Sequence, residues 1–156
     1  MKAIVYPGSL EQITVIADSA IGRDVQPLFL PEGVWEGRMA WAVRIGRLGK
    51  CVSPKFALRY VDGIAPALLT APAPPVPAWA AIADGALIPG AWVSPDEAAT
   101  ALPGSPSRGE IAAAVSDITR YATIKTGDII VLSPSAPFPL APGSTVTAPG
   151  LNVRVK

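Results

Sequence analysis

Residues 35–50 read WEGRMAWAVRIGRLGK, and the period of this stretch decides the fold. Taken every second residue, Met39, Trp41, Val43 and Ile45 share one side, while Arg38, Ala40, Ala42 and Arg44 share the other. Alternation at period two marks a strand, so the odd side is expected to face a core. The even side is small and cationic, and is expected to border water or a polar cavity. Arg38 and Arg44 both carry planar forks of N–H donors that match a carboxylate or phosphate. The competing reading is two solvated or ion-paired arginines.

The segments around this strand are also short and mostly extended. Eighteen prolines and fourteen glycines punctuate the chain, which favours many strands and turns over a helical bundle. KAIVY and QITVIA, separated by PGSLE, form an expected opening hairpin over about residues 1–26. VDGIAPALLTA reads as a strand, and APAPPVPAWAA as a polyproline-like connection or an edge. Further strands are expected in KTGDIIVLSP, GSTVTAPG and LNVRVK.

Two helices have recognisable starts. In SPKFALRYV, Ser53 precedes Pro54 at the first helical position, with Phe56, Ala57, Tyr60 and Val61 at helical spacing. In SRGEIAAAVSDITRYATI, Ser107 and Glu110 make a capping-box pattern ahead of an apolar stripe of Ile111, Ala114, Val115, Ile118 and Tyr121 or Ala122. This second segment is the principal helix. SPDE begins a helical turn, with Ser94 as cap and Asp96 and Glu97 near its positive end.

Composition removes several function classes. Half of the residues are hydrophobic and only 16% are charged, so a folded chain with a real core is expected. The 13 basic and 12 acidic residues are scattered, for a net charge of +1, which gives no block to bind nucleic acid. MKAIVYPGSLEQ lacks the apolar core of a signal peptide, and no apolar run reaches the ~18 residues of a membrane span. The single cysteine, Cys51, permits no internal disulfide, so the cytoplasm is the expected compartment. The chain has no histidine, which removes His-based triads, His proton shuttles and His-containing zinc sites.

Four pieces, in this order, resemble the fumarylacetoacetate hydrolase family: WAVRIGR with FALRYVDGI, then DGALIPGAWVSPDE, then the principal helix, then IKTGDIIVL followed by LAPGSTVTAPGLNVRVK. The resemblance spans roughly residues 27–156. It implies a homodimer and a divalent cation, magnesium or manganese, held by a Glu-x-Glu pair and a later Asp. A lysine and polar turns would then handle an oxyanion on a 1,3-dicarbonyl or 2-oxo acid substrate. Hard cations want several converging carboxylate oxygens, and Glu-x-Glu on a strand aims two of them at one face.

This chain departs from that pattern at each ligand. Aligned on RIGR, the Glu-x-Glu positions fall on Arg38 and Ala40; aligned on Gly63, the later Asp falls near Leu69; aligned on Asp84, the lysine falls near Ala81. The family's oxyanion turn corresponds to LSPS at 132–135, and only Asp84 remains among the usual polar positions. Asp84-Gly85 also reads as a turn, as does Asp128 after KTG. Trp41 reads as core, whereas Trp35, Trp79 and Trp92 are expected to line a pocket or a dimer interface.

The expected protein is therefore a single mixed α+β domain over 1–156, mostly β, a rolled sheet packed on one principal helix, with a hairpin at about 1–26 and the core at about 27–156. Its expected function is that of a pseudoenzyme, a non-catalytic binding or structural subunit able to take a small anion. The candidate pocket residues are Arg38, Arg44, Asp84 and Trp92. No cofactor, nucleic acid or membrane is expected, and the partner is a second copy. The alternative is a divergent hydrolase or decarboxylase of an oxo acid or 1,3-dicarbonyl compound, using magnesium or manganese held by carboxylates such as Asp84, or no metal.

Overall fold

Short β-branched runs cut by Pro and Gly become strands, and two segments preceded by serine become α-helices, of which only the one behind Ser107 is capped by the serine side chain. In the computed structural model, which describes residues 1–156, the elements are β1 (Lys2–Tyr6), β2 (Thr14–Ala17), β3 (Trp35–Ile45), β4 (Val61–Pro72), β5 (Leu87–Pro89), α1 (Pro95–Ala101), α2 (Arg108–Thr119), β6 (Ile129–Leu132), β7 (Phe138–Pro139), β8 (Thr145–Ala148) and β9 (Leu151–Arg154). Seven strands form one sheet in the order β2-β1-β6-β3-β4-β5, with β7 also on β3, while β8 and β9 form a separate hairpin. The result is a mixed α+β fold whose sheet curls into a half-barrel.

The opening hairpin forms, and β1 then pairs in parallel with β6. The N-terminal segment is thus built into the main sheet. Asp128 sits at that junction, 2% exposed, where it accepts bonds from the Lys2 N–H at 3.0 Å, Lys2 Nζ at 2.8 Å and the Lys125 N–H at 2.9 Å. Burial pushes its carboxyl pKa up, but the Lys2 ammonium and the two N–H donors outweigh burial and hold it below the ordinary 3.8.

The odd side of β3 faces a core, as its alternation predicts. Val43 and Ile45 pack with Ile64, Ile130 and the inner face of α2, namely Ile111, Ala114, Val115 and Ile118. Trp41 and Met39 are half-buried, with Trp41 packed against this cluster and Met39 against a third one. The even side departs from expectation. Ala40 and Ala42 are buried with Ala3, Ile16, Ala67, Leu87, Ile129 and Val131, so the centre of this face is dry apolar packing and not a polar cavity. The curled sheet covers both of its faces, and methyl-sized side chains let it close.

Two helical expectations shift. Pro54–Tyr60 forms a 3₁₀ helix, whose three-residue turn puts Ala57 against the core and turns Phe56 outward, 40% exposed. The principal helix ends at Thr119, so Tyr121 lies beyond it and is 72% exposed, while Ala122 packs inward. Its start follows the capping pattern: Ser107 Oγ accepts the Glu110 N–H at 3.1 Å. No helix is long and apolar enough to cross a membrane.

The hairpin β8–β9 docks through a glycine contact. The Ala91 N–H donates to the Gly150 carbonyl at 2.8 Å, and a Cβ on Gly90 would lie 2.4 Å from that same oxygen. Trp35 belongs to this corner. It is 6% exposed, packed with Leu68, Leu140 and Val153, and its Nε1 donates to the Pro31 carbonyl. It is packed in the core, and its edge-on neighbour Trp79 is 51% exposed.

Candidate functional site

Antiparallel register places side chains opposite one another, and the even face of β3 can be read directly from it. Arg38 stands opposite Leu69, Ala40 opposite Ala67, and Leu69 in turn opposite Leu87 on β5. Directly opposed Cβ atoms lie about 5 Å apart. Positions 38, 40 and 69, which the sequence resemblance assigns to a ligand set, therefore converge on one patch of sheet. The turn at 132–135 joins them: Ser135 exchanges two bonds with the Met39 backbone, at 2.7 and 3.0 Å, and its carbonyl accepts from Arg38 Nη1 at 2.8 Å. One of the five guanidinium donors of Arg38 is thus used, and the side chain is exposed.

Arg44 does not join Arg38. Six residues along a strand rising about 3.3 Å each is about 20 Å, too far for both forks to grip one small anion. A bulge between Arg44 and Ile45 leaves Asp62 as the extra residue of β4, and Asp62 Oδ1 accepts from Arg44 Nε at 2.7 Å. The guanidinium lies over Trp92, 4.7 Å from the ring centroid. Gly63 leaves the space, since a Cβ there would sit 3.1 Å from Arg44 Nη2 and 3.2 Å from Trp92 Cε3. Arg44 and Trp92 are therefore partners of each other and of Asp62 at the far end of the strand.

Asp84 lies elsewhere again. With Gly85 at φ +79° it makes the turn before β5, and it lines a cleft of about 340 Å³ together with Ser19, Arg23, Gln26 and Phe29. Neither Arg38 nor Trp92 borders that cleft. The four candidate residues thus divide among three places. One further acid–phenol pair stands apart from all of them: Tyr6 donates to Asp117 Oδ2 at 2.6 Å. That bond, then burial and the carboxylate charge, raises the phenol above its usual 10.0, and the same bond leads the lowering of Asp117.

No family sequence model matches the chain, and no curated protein matches it. Solved structures do. A Yersinia pestis CO92 protein of the fumarylacetoacetate hydrolase family superposes with a TM-score of 0.79 at 20% identity, over 99% of this chain and 92% of that one. The fold is that of fumarylacetoacetate hydrolase family proteins. Two other structures share the fumarylacetoacetate hydrolase fold with it over 99% of this chain. Maleylpyruvate hydrolase from Sphingobium sp. SYK-6, in complex with manganese(II) and pyruvate, gives a TM-score of 0.78 at 18% identity, over 70% of its own chain. The 5-carboxymethyl-2-hydroxymuconate delta-isomerase of Mycobacterium smegmatis gives 0.76 at 20%, over 78%.

On this fumarylacetoacetate hydrolase fold the donor set does not fit a divalent metal. The three converging positions carry a guanidinium, a methyl and an isobutyl group, none of which offers an oxygen, and the one carboxylate on this face of β3 is Glu36. No group of three or more Cys, Asp or Glu side chains stands together anywhere in the chain. A hard cation needs several oxygens, and a neighbouring guanidinium repels it. Sequence reading missed that Arg38 binds the Ser135 carbonyl, because that bond joins residues 97 apart.

Proposed function

We propose that this chain keeps the fumarylacetoacetate hydrolase fold without its metal chemistry, as a non-catalytic binding or structural subunit. One observation carries the reading: the register brings positions 38, 40 and 69 together as a ligand site would require, and they hold Arg, Ala and Leu. Ala40 is closed in by an apolar cluster, so a bound metal would have neither oxygens nor water around it on that side. What the patch offers is the free N–H donors of Arg38, which suit a small carboxylate or phosphate. A homodimer and a reducing, cytoplasmic setting for the lone Cys51 complete the proposal.

Turnover tests this directly. Incubated with acylpyruvates and 2-oxo acids in the presence of Mn²⁺, the protein should release no pyruvate and no carbon dioxide above the metal-only rate. Sustained turnover that is lost in the Arg38→Ala variant would overturn the proposal. The second reading, a divergent hydrolase or decarboxylase of an oxo acid, is favoured by the hydrolase and the isomerase among the structures that share the fold. It requires an acid or base near the Arg38 patch, and Glu36 is the residue whose replacement by Gln would abolish that activity.

A further inference from the structure

Six of the thirteen cations of this chain fall in two segments that are distant in sequence and adjacent in space. Residues 47–60, RLGKCVSPKFALRY, contain Arg47, Lys50, Lys55 and Arg59 and no acid; residues 119–127, TRYATIKTG, contain Arg120 and Lys125 and no acid. The two segments lie side by side. Gly49 and Ile124 exchange backbone bonds at 2.9 Å, the Cys51 N–H donates to the Thr119 carbonyl at 2.8 Å, and Lys50 Nζ donates to the Tyr121 carbonyl at 3.3 Å. Arg120 is paired with Asp117, but Arg47, Lys50, Lys55, Arg59 and Lys125 are exposed and make no salt bridge.

Apolar groups stand among these charges. Leu48 is 66% exposed, Phe56 40% and Tyr121 72%. Two of the guanidinium groups are braced: Arg59 lies over Phe56, 4.7 Å from the centroid, because the 3₁₀ turn of Pro54–Tyr60 stacks residues three apart. Arg47 lies over the Tyr60 ring at 5.8 Å. A stacked guanidinium keeps its N–H edges free and oriented for a bidentate carboxylate.

We propose that this surface docks an acidic segment of a partner protein, one in which carboxylates alternate with apolar side chains. Carboxylates would meet Arg47, Lys50, Lys55, Arg59 and Lys125, and apolar side chains would meet Leu48, Phe56 and Tyr121. The net charge of only +1 argues for a short acidic segment over a long polyanion. A polynucleotide feels the repulsive acids on the rest of the surface, whereas a segment lying on the patch is screened from them beyond about 8 Å at physiological salt.

The test is fluorescence anisotropy of the full chain with a labelled peptide of alternating Glu and Leu, about a dozen residues long. Binding should weaken as salt rises. It should fall about tenfold or more in each of two separate charge reversals, Arg47→Glu with Arg59→Glu and Lys50→Glu with Lys125→Glu. Thermal melting confirms that each variant is folded, and both pairs are exposed enough to tolerate the change. No binding at low salt, or binding indifferent to both reversals, would overturn the proposal. Tighter binding of oligothymidylate or of phosphatidylserine vesicles than of the peptide would overturn its assignment to a protein segment.

Discussion

Ala40 is a side chain whose smallness is its role. It is 4% exposed, within a cluster of alanines, Leu87, Ile129 and Val131, so a carboxylate there would be buried without a partner. Ala40→Glu should cost about 3–5 kcal/mol or prevent folding, read by urea denaturation. A carboxylate on a site built for a metal would instead be tolerated once Mn²⁺ is added. Asp128 is the opposite case, a buried acid with its partners in place. Its folded pKa lies below the ordinary 3.8, so its stabilisation is present above that value and is lost as pH falls through the folded one. Asp128→Asn should destabilise by about 2–3 kcal/mol near pH 7, and the melting temperature of the variant should fall less steeply on acidification below about pH 4. The TGD turn was legible from its residue types, whereas the burial of Asp128 was not, because Lys2 is 126 residues away.

At the scale of elements, one glycine fixes how the C-terminal hairpin sits. Gly90→Ala would drive a Cβ into the Gly150 carbonyl, 2.4 Å away, and that oxygen belongs to backbone held by the Ala91 N–H, not to a side chain that can swing aside. A loss of about 2–4 kcal/mol is expected in thermal or urea unfolding, and unchanged stability would show that β8–β9 shifts freely. Strand existence was legible from alternation and turn residues, and α2 from its cap and stripe. The even face of β3 was not. A run of alanines between arginines has the same period whether it borders water or a curled sheet, and only the pairing of β3 with β4 and β6 decides. The 3₁₀ character of Pro54–Tyr60 was hidden for a related reason, since seven residues support either pitch until Ala57 finds the core.

For the whole molecule, the order of four short pieces in the sequence resembled the fumarylacetoacetate hydrolase family, and the fold agrees at 16–20% identity to solved structures. Such identity leaves chemistry free to change while packing persists. Two whole-molecule features lay outside sequence reach. The first is the separation of Arg38, Arg44 with Trp92, and Asp84 into three places; the second is the backbone pairing that sets the cation-bearing segments 47–60 and 119–127, some sixty residues apart, side by side. The central claim, that the fold persists without metal chemistry, is tested most directly by calorimetric titration of the metal-stripped protein with Mn²⁺ near neutral pH. No saturable heat is expected at micromolar to submillimolar Mn²⁺. A stoichiometric site of micromolar affinity would contradict that claim and favour the reading as a divergent hydrolase or decarboxylase.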